Sequence, residues 1–76
     1  MTGASLRMIK NNLEHIRTQK SMSKTQFVFY LGIVSEMQYT RYEKSTQQPT
    51  LVTALKIAKK LNKTVDEIWS IDENDE

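Results

Sequence analysis

The sequence predicts an all-α protein, a compact bundle of five short helices. Apolar residues recur at spacings of three and four in successive stretches, and no stretch alternates as a strand would. Good helix caps, Ser23, Ser35, Thr50 and Thr64, stand ahead of four of those stretches. At 76 residues the chain has room for one small core and no second domain.

Leu6, Ile9, Leu13 and Ile16 share one helical face, which predicts a first helix over residues 5–20. Ser21-Met22-Ser23 interrupts the pattern, and Ser23 caps a second helix over 24–31 with Phe27, Val28 and Leu31 turned inward. Gly32 ends it, since glycine accepts the left-handed geometry of a helix stop without cost. Ser35 caps a third helix that ends near Lys44, with Glu36 in its first turn to suit the dipole and Tyr39 and Tyr42 facing the core.

After a polar loop through Pro49, Thr50 caps a fourth helix ending at Leu61, whose predicted apolar stripe is Leu51, Ala54, Leu55, Ala58 and Leu61. Lys56, Lys59, Lys60 and Lys63 line its other side as a solvated face. Thr64 and Glu67 have capping-box spacing and open a fifth helix that presents Val65, Ile68 and Trp69 to the core. The expected division is a flexible extension over 1–5, a folded domain over 6–71 and a disordered acidic tail over 72–76.

Composition excludes several function classes. The chain has 38% hydrophobic and 26% charged residues, and its apolar runs are too short to span a bilayer. Residues 1–5 lack the features of a secretory signal, which predicts a cytoplasmic location. With no cysteine there is no disulfide, thiolate nucleophile or sulfur-ligated zinc. The single histidine, His15, lies among polar neighbours with no base, nucleophile or metal partner around it, so neither an enzyme nor a cofactor is expected.

The net charge of +2 hides an asymmetry, because Asp72, Glu73, Asp75 and Glu76 hold four of the nine acids. Residues 1–71 carry eleven basic side chains against five acidic ones, a net +6, which points to a polyanionic partner. Two short helices joined by a glycine-containing turn, on a basic all-helical body, form an arrangement that can push one helix into the major groove of DNA.

The stretches that bear this out are Asn12 to Lys20 with Arg17, Met22-Ser23, Leu31-Gly32, the run Val34 to Glu43, Pro49-Thr50-Leu51, and Leu55-Lys56-Ile57-Ala58 through Asp66-Glu67-Ile68. Over roughly Met8 to Trp69 the chain closely resembles the helix-turn-helix domain of the phage Cro and C1 repressors, the XRE family of bacterial regulators. The resemblance implies a lambda-repressor-like bundle with the helix-turn-helix at helices two and three. It further implies a transcriptional repressor that binds a palindromic double-stranded DNA operator as a homodimer.

Carried onto this sequence, the resemblance makes residues 35–44 the recognition helix and Glu36, Met37, Gln38 and Arg41 the base readers. Their chemistry suits the groove: Arg41 pairs with guanine, Gln38 with adenine, Glu36 accepts from cytosine N4, and Met37 meets a thymine methyl. Each good pair contributes about 1–3 kcal/mol of discrimination. Phosphate contacts are expected from Ser23, Lys24, Thr25, Ser35, Lys44, Thr46 and Gln47. Arg17 and Glu43 fall where the family has a structural ion pair. Dimer contacts are expected around Ile68, Trp69 and Ile71.

The chain departs from the family at four places. Gly32-Ile33-Val34-Ser35 is one residue longer than the usual turn, Ser45 stands for a common glycine, and Lys24 stands for a common glutamine. Phe29 and Tyr30 occupy positions usually charged and exposed, next to Ile33. Such an apolar patch suggests a second class of function, a protein-interaction module such as an antitoxin or adaptor. Against it stands the expectation that the longer turn rotates both aromatics inward.

Overall fold

The computed structural model describes residues 9–71, so the expected extension over 1–5, Leu6 and the acidic tail over 72–76 lie outside the described residues. The elements in order are β1 (Ile9–Asn11), α1 (Leu13–Gln19), α2 (Lys24–Leu31), α3 (Glu36–Glu43), α4 (Leu51–Leu61), α5 (Val65–Ile68) and β2 (Trp69–Ile71). Among the described residues five helices enclose one core, and a small two-stranded sheet is added to the expected all-α bundle. No helix among the described residues is long and apolar enough to cross a membrane.

The first helix is shorter than its periodicity predicts. It begins at Leu13, and Ile9 lies in β1, which pairs antiparallel with β2 in the register Ile9↔Ile71, Lys10↔Ser70 and Asn11↔Trp69. Asn11 supplies the physical reason. Its Oδ1 accepts from the Leu13 N–H at 3.0 Å, a local bond that competes with helix. Its Nδ2 donates to the Tyr42 carbonyl at 2.9 Å and to Ser45 Oγ at 3.2 Å, tying β1 to the end of α3. The Asn12 N–H donates to the Ile68 carbonyl at 2.8 Å, which continues the seam between the chain's two ends.

The other helices start where their caps predict. Ser23, Ser35 and Thr64 each accept from the backbone N–H three residues on, and Gln26, Gln38 and Glu67 reciprocate to the cap N–H. Thr50 accepts from the Thr53 N–H at 3.2 Å. Gly32 ends α2 at φ 66°, with its N–H bonded to the Val28 carbonyl.

The core comprises Leu13, Ile16, Phe27, Leu31, Tyr39, Tyr42, Ala54, Ile57, Ala58, Leu61, Ile68 and Trp69. At its centre Phe27 meets Tyr39 edge to face, with centroids 5.4 Å apart. The stripe of α4 is rotated from the predicted one: Ile57 is fully buried, while Leu51 and Leu55 are exposed. Residues 51, 54, 55 and 58 and residues 54, 57, 58 and 61 are both apolar rows of helical spacing, and only the neighbouring helices select between them.

Candidate nucleic-acid interface

The interface grows from how α3 is mounted. Tyr39 and Tyr42 bury one side of this eight-residue helix, which turns Met37, Arg41 and Lys44 to solvent on the opposite side. Gln38 and Glu36 are exposed on the two flanks, and Thr40 is half-buried beside the outward stripe. Thr40 escaped the sequence reading, although it is three residues from Met37 and four from Lys44; the signal was that spacing opposite the tyrosine pair.

Both ends of α3 are fixed. Ser35 Oγ accepts from the Gln38 N–H at 3.2 Å, and Gln38 Oε1 accepts from the Ser35 N–H at 3.4 Å. Gln38 therefore keeps its Nε2 and one lone pair of its Oε1 free for a base. At the other end Arg17 Nε donates to Glu43 Oε2 at 2.8 Å, with 13% and 7% of the two side chains exposed. The Tyr39 hydroxyl donates to the same oxygen at 2.5 Å, and Arg17 Nη1 donates to the Met22 carbonyl at 3.0 Å. The Arg17–Glu43 pair thus joins α1, α3 and the turn before α2.

Electrostatics follow from that geometry. The hydrogen bond to Glu43 raises the Arg17 pKa above its ordinary value, so the guanidinium stays charged wherever the protein folds. Burial, then the hydrogen bond to Glu43, pushes the Tyr39 phenol far above its ordinary value.

The N-terminus of α2 lies beside α3. Its capping box uses the Ser23 and Gln26 N–H groups, leaving those of Lys24 and Thr25 without intrahelical acceptors. Lys24 is half-buried and Thr25 exposed, and Thr25 Oγ1 donates to Glu36 Oε1 at 3.1 Å. In the loop after α3, the Thr46 and Gln47 N–H groups both donate to the Arg41 carbonyl. The Thr46 hydroxyl donates to that carbonyl as well, at 3.3 Å, so of these two exposed residues the Gln47 side chain is the one free to meet a phosphate.

The departures from the family pattern resolve locally. The extra turn residue is absorbed by Ile33 and Val34, both half-buried against the core. Ser45 adopts φ 62°, a left-handed geometry that a glycine takes without cost. Tyr30 does turn inward, stacking on Phe27 at 6.2 Å, with the Lys20 and Lys60 ammonium groups over its ring. Phe29 does not, and is 88% exposed. Ile68 and Trp69 lie inside the monomer core, so of the three expected dimer contacts only Ile71 is at the surface.

A capped helix presenting a polar outer face, beside the amino end of a second helix on a basic body, defines a helix-turn-helix DNA-binding domain. The chain belongs to the helix-turn-helix family of the Cro/C1 type, whose pattern matches residues 13–68, and this places it among DNA-binding transcription regulators rather than enzyme families. No curated protein matches the chain.

Proposed function

We propose that the chain is a cytoplasmic, sequence-specific transcriptional repressor that inserts α3 into the major groove of a palindromic operator. The observation that supports this most is the outer face of α3, with Met37, Gln38 and Arg41 exposed on a helix held at both ends. Lys44 and Gln47 on one side, and Ser23, Lys24 and Ser35 on the other, grip the flanking phosphates.

The repressor works as a homodimer on half-sites roughly 34 Å apart. What supports self-association is the position of the exposed aliphatics. Leu51, Val52, Leu55 and Ile71 are exposed on α4 and β2. A groove of about 270 Å³ is lined by Ile9, Gln48, Pro49, Leu51, Ala54, Val65 and Trp69, with no charged residue among them. On a body of net +6, two copies repel each other least across an uncharged face.

The test is selection from random duplex DNA, followed by titration of the best sequence at several salt concentrations. A palindromic consensus with steep salt dependence is the expected result. Arg41→Ala relaxes one base position, whereas Lys24→Ala weakens binding to all sequences and flattens the salt slope. Salt-insensitive, unselective behaviour of the wild type and both variants refutes the reading. Leu55→Glu, a change at an exposed position, should lower the sedimentation mass to the 8.9 kDa monomer.

The 88% exposure of Phe29 favours a second reading, a protein partner docked on α2. A protein that enriches no DNA sequence but loses a partner on Phe29→Ser would establish it.

A further inference from the structure

Glu36 is an unexpected residue for a surface that approaches phosphates. A carboxylate there is repelled by the DNA backbone, so its presence works against affinity. It stands at the first position of α3, and its side chain is exposed. Thr25 Oγ1, from the first turn of α2, donates to Glu36 Oε1 at 3.1 Å. The threonine hydroxyl has a single proton, and with that proton on Glu36 it has none to offer a phosphate.

The bond does little for the fold. Both side chains are exposed, and α2 and α3 are already joined by the contact of Phe27 with Tyr39 and by the half-buried turn residues Ile33 and Val34. What the bond does is limit the rotamers of a glutamate that would otherwise swing among several. A held carboxylate is an acceptor of fixed direction.

We propose that Thr25 is a positioning residue that aims the Glu36 carboxylate at one base pair of each half-site, where it selects cytosine. The inference rests on the DNA-reading function above. An ionised carboxylate only accepts, and the major-groove edge offers donors only at cytosine N4 and adenine N6. Adenine places its N7 acceptor beside that donor and guanine presents two acceptors, so both set lone pairs against the carboxylate. Thymine offers the O4 acceptor and a methyl group. Cytosine alone presents a donor with no acceptor on the same base. Glu36 thus contributes discrimination, while the basic residues around it contribute affinity.

The experiment is selection from random duplexes with the full chain and with Thr25→Ala, Thr25→Val, Thr25→Ser and Glu36→Gln. Dissociation constants are then measured for four duplexes that differ only at the selected pair. The wild type should prefer cytosine by about tenfold, the factor equivalent to about 1.4 kcal/mol. Glu36→Gln should abolish that preference while tightening binding to all four duplexes. Thr25→Ala and Thr25→Val should cut it to about threefold, with Thr25→Ser restoring it and the position read by Arg41 unaltered throughout. A phosphate-contact role for Thr25 would instead weaken all four duplexes equally and leave the preference intact, which overturns the proposal. A defined operator with no cytosine that depends on Glu36 overturns it as well, leaving the DNA-reading function standing. A wild type that enriches no sequence removes both.

Discussion

Replacing Glu43 by leucine tests the anchor of the recognition helix most directly. The carboxylate accepts from Arg17 Nε at 2.8 Å and from the Tyr39 hydroxyl at 2.5 Å, with only 7% of its side chain exposed. Without it, Arg17 keeps one bond, to the Met22 carbonyl, for a charge whose side chain is 13% exposed. Breaking a fully buried pair costs about 3–5 kcal/mol. Partial exposure and the surviving Met22 bond reduce that to about 2–3 kcal/mol here. A single small core supplies roughly 3–5 kcal/mol in total, so the variant should be close to unfolded.

The assay is urea and thermal unfolding followed by circular dichroism, on wild type, Glu43→Leu, Arg17→Leu and the double variant. The midpoint temperature of Glu43→Leu should fall by roughly 10–20 °C, at about 4–8 °C per kcal/mol for a domain of this size. The double variant should be less damaged than the two single changes add up to, because it leaves no unpaired charge behind. Additivity to within about 0.5 kcal/mol would refute the argument, since it would mean that the two groups do not feel each other.

Two further predictions follow from single positions. Gly32→Ala should cost about 1 kcal/mol from backbone strain alone, because φ is 66° and the nearest atom to an added Cβ is the Phe29 carbonyl oxygen at 3.9 Å; a calorimetric midpoint unchanged by the substitution would contradict this. The raised Tyr39 pKa makes stability fall in alkali. The unfolded phenol releases its proton near its ordinary value of 10 while the folded one retains it, so this contribution is complete below that pH and is lost as pH rises above it. Unfolding midpoints between pH 8 and 11 should therefore drop above pH 10 in wild type and drop less in Tyr39→Phe.

Much of the interface was legible in the sequence because helix caps are local chemistry. A serine or threonine three residues before its partner N–H forms the same bond in any context, so Ser23, Ser35, Thr50 and Thr64 located four helix starts without knowledge of the fold. The tyrosine pair on α3 likewise fixed which side of that helix faces out. Gly32 marked the helix stop by a conformational freedom that belongs to the residue itself.

What the sequence left open depends on partners distant along the chain. Residues 9–11 carry a helical apolar spacing, and they become a strand because residues 69–71 arrive to pair with them while Asn11 caps Leu13 and binds the end of α3. Two apolar rows on α4 were equally good on paper, and neighbouring helices buried Ile57 and left Leu55 outside. The same closure took Trp69 into the core, leaving 8% of it exposed. No local pattern joins Thr25 to Glu36, eleven residues away across the turn, so that contact is a product of how α2 and α3 pack. Propensity and capping act within a few residues and are written in the chain, whereas strand pairing, stripe choice and cross-helix hydrogen bonds are decided by what the fold brings near.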